Sequence, residues 1–114
     1  MQEKRNIHLS DSQLSEIAAL FKALAEPSRL KLVRALMAGS QTVSDLVRLT
    51  GLQQGNVSRH LGILVGAQVL KRAQEGNFVR YELADRSLFE LCDLMCSRLD
   101  EQLKRRLADL RRSE

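Results

Sequence analysis

A chain of 114 residues, 44% hydrophobic and 28% charged, has the balance of one ordinary folded domain and leaves little room for a second. The N-terminus is followed by no apolar signal region, and no apolar run reaches membrane-spanning length, so no membrane partner is expected. The formal charge of +4 is uneven: residues 51–80 hold four Lys/Arg (Arg59, Lys71, Arg72, Arg80) against the single acid Glu75, a positive segment that favours phosphate.

Residues 1–10 are polar and without a period, and are expected to form a loose arm ahead of one domain spanning 11–112. From Ser12, Leu14, Ile17, Ala18, Phe21 and Leu24 fall on one face of a first helix. Pro27 suits the first turn of a second helix, where its missing N–H costs nothing. Leu30, Val33 and Leu36 or Met37 mark that helix's apolar face, and Gly39 ends it. Thr42 and Asp45 form a start signal for a short third helix that Gly51 stops. A fourth helix follows within a few residues, with Val57, Leu61, Leu64 and Val65 inward. Two short helices joined by a tight glycine-containing turn read as a helix-turn-helix. The period then changes: Val69–Arg72 and Phe78–Leu83 read as two strands around the turn residues Glu75-Gly76-Asn77. Asp85 can cap a last helix running to about Arg112. Its stripe of Leu88, Leu91, Cys92, Met95, Cys96, Leu99, Leu103, Leu107 and Leu110 is too long for so small a core to cover, and a second copy of the chain is the economical partner. The basic cluster at its end (Lys104, Arg105, Arg106, Arg111, Arg112) reads as a solvated helix terminus facing the dipole.

The expected fold is therefore mainly α with a small β-hairpin: a dimeric winged helix-turn-helix with its long C-terminal helix in the dimer interface. Four segments resemble, in order and spacing, signatures of the ArsR/SmtB repressors. Phe21-Lys22-Ala23-Leu24-Ala25-Glu26-Pro27-Ser28-Arg29-Leu30 resembles the family's opening motif. Gln53-Gln54-Gly55-Asn56-Val57-Ser58-Arg59-His60-Leu61 resembles its recognition helix. Leu64–Leu70 and Gly76–Tyr81 resemble the segment after that helix and the wing. The resemblance covers about residues 17–100. It implies a cytoplasmic, homodimeric transcriptional repressor of double-stranded operator DNA.

Chemistry of the residues supports that reading independently. Gln53, Gln54, Asn56, Ser58 and Arg59 offer amides, a hydroxyl and a guanidinium near the start of the fourth helix, where major-groove reading takes place. Amides pair with adenine edges and Arg with guanine, while Ser58 and helix N-terminal amides suit phosphate. His60 is expected either to contact phosphate or to pack, and Arg80 to reach the flanking backbone or minor groove from the wing. An enzyme is not expected: the two His stand near no recognisable nucleophile, and there is no phosphate loop or glycine-rich nucleotide fingerprint.

No cofactor is required by this reading, but the signal that would release DNA is open. The resemblance implies three kinds of site that this chain lacks. The metalloid site needs paired cysteines in the third helix, where Thr42–Leu46 has none. The zinc-type site of the last helix keeps Asp85 but lacks its histidines, and Arg98 stands in one of their places. The sulfur-sensing pair needs a cysteine in the second helix. There remain Cys92 and Cys96, one turn apart on one helix face, suited to a soft ion such as As(III), Cu(I) or Hg(II), or to an oxidant. A typical As(III) site wants a third thiolate, which would come from the dimer mate or a small thiol. The alternative is a constitutive regulator whose cysteines are core packing only.

Overall fold

The computed structural model describes residues 8–113, so most of the expected arm lies outside the described residues. Among these, five helices and three strands follow in the order α1 (Asp11–Leu24), α2 (Pro27–Leu36), β1 (Gln41–Thr42), α3 (Val43–Thr50), α4 (Gln54–Gly66), β2 (Leu70–Glu75), β3 (Phe78–Leu83) and α5 (Arg86–Arg112). The architecture is a winged helix-turn-helix with a long terminal helix.

Local chemistry sets most boundaries. Ser10 caps α1 in a reciprocal box with Gln13, which starts the helix one residue earlier than the apolar period alone suggests. Glu26 caps α2 by accepting from the Arg29 N–H, and Pro27 occupies the first turn. Thr42 and Asp45 cap α3 reciprocally at 3.1 Å each way, and Gly51 ends it at φ +74°, where a Cβ would be strained. Asp85 caps α5 by accepting from Leu88 N–H at 3.1 Å.

The core is a cluster of aliphatic side chains, chiefly Leu32, Val33, Leu36, Leu46, Val57, Leu61, Leu64 and Val69, from α2, α3, α4 and the entry to the wing. The sheet order is β1-β3-β2, all antiparallel, with Gln41 opposite Tyr81 and Leu70 opposite Leu83. The strand β1 was not expected from the sequence. It pins the start of α3 to the wing, so the helix-turn-helix and the hairpin share one frame. β2 runs three residues beyond the expected Arg72, to Glu75, because Ala73, Gln74 and Glu75 pair with Arg80, Val79 and Phe78.

Two apolar faces remain uncovered within the chain. Helix α1 is buried only at its C-terminal end, at Ala23 and Leu24, while Leu14, Ile17 and Phe21 of its apolar face are exposed. Along α5 only Leu88 is buried, and Leu99, Leu103, Leu107 and Leu110 are all exposed.

Candidate nucleic-acid interface and sulfur groove

Helix α4 presents two chemically opposite faces. Val57, His60, Leu61 and Leu64, at spacings of three and four, are buried against α2 and α3. Gln53, Gln54, Asn56, Ser58 and Arg59 are all exposed around its first two turns. Gln53 is the N-cap but makes no side-chain cap bond, so its amide is free to pair outward. The five residues predicted to read DNA thus lie together on one outward surface, at the end of the helix where the dipole is positive.

Of its two expected places, phosphate contact or packing, His60 takes the packed one. It is 5% exposed, the one buried polar residue among those described. Its spacing of three from Val57 and four from Leu64 puts it on the inward face of α4. Arg29 Nη1 lies 3.4 Å from Nδ1, Arg59 Nη2 lies 3.4 Å from Nε2, and Glu26 Oε2 lies 3.9 Å from Nε2. A neutral imidazole has one acceptor nitrogen, so only one guanidinium can donate to it at a time. The ring tautomer decides which: Nδ1 accepts from Arg29, or Nε2 accepts from Arg59. Arg29 also donates from Nε to the Ala23 carbonyl at the end of α1. This network ties the α1–α2 corner to the recognition helix. It joins residues 31 positions apart and carries no local sequence signal. The Glu26 carboxyl is held below its ordinary range, first by the hydrogen bond from the Arg29 N–H.

Arg80 is less free than the sequence suggested. Its guanidinium donates to the Ser40 carbonyl at 3.1 Å and lies 3.4 Å from Glu75. It braces the wing against the segment before α3, with about a third of its side chain still exposed. Lys71 pairs with Glu82 across the hairpin at 3.4 Å. These are exposed ion pairs, worth a fraction of a kcal/mol and readily exchanged for phosphate.

The thiols stand on α5. Cys92 is half-buried against the core and Cys96 is exposed, and both are free. They line a groove of about 680 Å³ between the α1–α2 corner and α5, with Phe21, Leu30, Val33, Met37, Met95 and Leu99. Burial pushes the Cys92 thiol up from its ordinary range, and Cys96 beside it adds to this. Among the described residues, no group of three or more His, Cys, Asp and Glu side chains comes together, and no helix is long and apolar enough to cross a membrane.

Comparison with known proteins gives this geometry a context. The description "Bacterial regulatory protein, arsR family" matches residues 26–71, which run from the α2 cap through the helix-turn-helix into β2. The chain is 35% identical over 74 residues to a probable mercury resistance operon repressor of Streptomyces lividans, a match covering 65% of this chain and 59% of that protein. It thus spans less than two thirds of that relative's length. It is 34% identical over 93 residues to the transcriptional repressor SmtB homologue of a Synechocystis species, covering 82% of this chain and 70% of the relative. Among solved structures it is similar to the homodimeric winged helix-turn-helix DNA-binding domain of a possible ArsR-family regulator from Mycobacterium bovis. That likeness has a TM-score of 0.78 at 27% identity, covering 85% of this chain and 93% of the other. The family is one of DNA-binding transcriptional regulators and not of enzymes. With the cap, helix-turn-helix, wing and terminal helix all in place, the chain belongs to the ArsR family of bacterial regulatory proteins.

Proposed function

We propose that this chain is a transcriptional repressor that binds its operator as a homodimer, reading base edges with the exposed face of α4. The observation that carries the proposal is the division of that helix. Val57, His60, Leu61 and Leu64 anchor it, while Gln53, Gln54, Asn56, Ser58 and Arg59 stand together in solvent. Arg80 and Lys71 bring positive charge from the wing to the flanking backbone. The exposed leucines of α5 and the exposed face of α1 supply the surface on which two copies meet, and the homodimeric Mycobacterium bovis domain supports that assembly. The symmetric pair would set two α4 helices into successive major grooves about one DNA turn apart.

The test is binding of the chain's own promoter fragment, followed by fluorescence anisotropy at several salt concentrations. Asn56→Ala with Arg59→Ala should lose about 1–3 kcal/mol per base contact and leave the melting temperature unchanged. Unchanged affinity in the double variant would remove α4 from the reading.

The release signal acts at Cys92 and Cys96. Support comes from their place: the two free thiols stand one turn apart on α5, on the stripe where two copies meet, so a change at them reaches the assembly. The mercury-repressor relative supports a thiophilic inducer. Ligation or oxidation would alter how α5 sits on its partner and so the spacing of the two recognition helices. Cys92→Ser/Cys96→Ser protein should stay on DNA when treated with Hg(II), As(III) or oxidant. Release equal to that of the parent chain would assign the signal elsewhere.

A further inference from the structure

We propose that Arg29 is a positioning residue for operator reading: it claims the single acceptor nitrogen of His60, so the ring turns its Nε2 proton toward Arg59 and the Arg59 guanidinium is kept for the bases. The proposal rests on the reading of DNA by α4 and names what keeps one of its contacts available.

Its basis is a competition between side chains. Arg59 stands exposed on α4, yet its Nη2 lies 3.4 Å from Nε2 of the buried His60. Successive residues of a helix do not face each other, so adjacency does not force this approach; the Arg59 side chain bends back around α4 to make it. Among the described residues, the imidazole is the one side-chain partner within hydrogen-bond reach of that guanidinium. A base edge and the ring therefore compete for the same donor, and whether the ring can accept decides how freely Arg59 leaves the protein.

The groups around the ring settle that competition. Arg29 Nη1 lies 3.4 Å from Nδ1, and Arg29 Nε is engaged at the Ala23 carbonyl, which anchors the guanidinium where it stands. Glu26 Oε2 accepts from the Arg29 N–H at 2.9 Å and lies 3.9 Å from Nε2. With the ring proton on Nδ1, a buried N–H would face the Arg29 guanidinium, donor against donor, with no acceptor. With the proton on Nε2, Nδ1 accepts from Arg29 and the N–H stands on the side of the Glu26 carboxylate. The second arrangement gives both nitrogens a partner of the right kind. A ring held in this way offers Arg59 a donor and no acceptor. The α1–α2 corner, outside the recognition helix, thus sets the freedom of a side chain within it.

The experiment combines a ring spectrum with a double-mutant cycle on the full chain. Long-range nitrogen–proton correlation of the labelled parent reports the His60 tautomer without any substitution, and should show the proton on Nε2 alone. A proton on Nδ1 alone, or on both nitrogens, overturns the proposal. Arg29→Met keeps the stem but frees Nδ1, so Nε2 can accept from Arg59. It should weaken binding of the promoter fragment by about five- to tenfold, within the loss caused by Arg59→Ala. Combined with Arg59→Ala, it should weaken binding no further, because its effect passes through that guanidinium. An equal loss in both backgrounds marks Arg29 as a structural brace only and overturns the proposal, as does unchanged affinity of Arg29→Met where Arg59→Ala is impaired; in both cases the reading by α4 stands. If Arg59→Ala itself binds as the parent does, the reading of bases by Arg59 falls and the proposal falls with it.

Discussion

Helices α4 and α5 are both amphipathic, but they solve the problem of their apolar faces differently. In α4, Val57, Leu61 and Leu64 are completely buried, so its polar face is held outward by the chain's own core. In α5, twice as long, only Leu88 is buried, and the stripe continues past the domain through Leu99, Leu103, Leu107 and Leu110. One helix is positioned by folding; the other is left for association. Exposed i, i+3 and i, i+4 pairs such as Arg86–Glu90, Lys104–Asp100 and Arg112–Asp109 help α5 stand in solvent, each by only a few tenths of a kcal/mol. The lesson is that sequence amphipathicity identifies a face, and the size of the available core decides whether that face is satisfied within one chain.

The comparison can be broken most severely at α5. Leu103→Glu with Leu107→Glu should leave each protomer folded by circular dichroism but monomeric by sedimentation. Losing the second half-site contact should lower operator affinity by about 10²–10⁴-fold. A dimer that survives these charges would place the interface elsewhere. Leucine truncation sharpens the contrast at intermediate size. Leu64→Ala should cost about 2–5 kcal/mol in urea unfolding whatever the protein concentration, because it opens a cavity within one chain. The cost of Leu107→Ala should depend on concentration, because the leucine is covered only on assembly.

The parts legible in the sequence are those with local causes. Pro27, the Thr42–Asp45 box, Gly51, the Asp85 cap and the hairpin turn each act within a few residues, and each lies where expected. The two-residue β1 has too little length to show a period and exists only because Arg80 and Tyr81 of a distant strand pair with it. The bracing of Arg80 by Ser40 and the Arg29–His60 contact likewise join segments far apart in the chain. His60 is different: its type and place suited either a phosphate contact or packing, and only its burial in the folded chain decides for packing.

Smaller effects test the local devices. Thr42→Ala should cost about 0.5–2 kcal/mol by removing the side chain that caps α3. The Asp45 carboxyl is held below its ordinary range, first by the hydrogen bond from the Thr42 N–H. A carboxyl depressed in the folded state contributes stability above its unfolded pKa of about 3.9 and loses it as pH falls through the folded value. Glu26 is depressed first by the hydrogen bond from the Arg29 N–H, and Asp85 first by the hydrogen bond from the Ser87 hydroxyl, and both act in the same direction. Thermal stability should therefore decline on acidification below about pH 4, and Asp45→Asn should make the decline shallower.

The most direct measurement is the change in backbone amide resonances when the isotope-labelled chain is titrated with its own promoter fragment. The account predicts that the largest changes fall on residues 53–59 and on the wing, with the distal part of α5 from Leu99 onward little affected. Changes confined to α5, with the first turns of α4 unmoved, would contradict it.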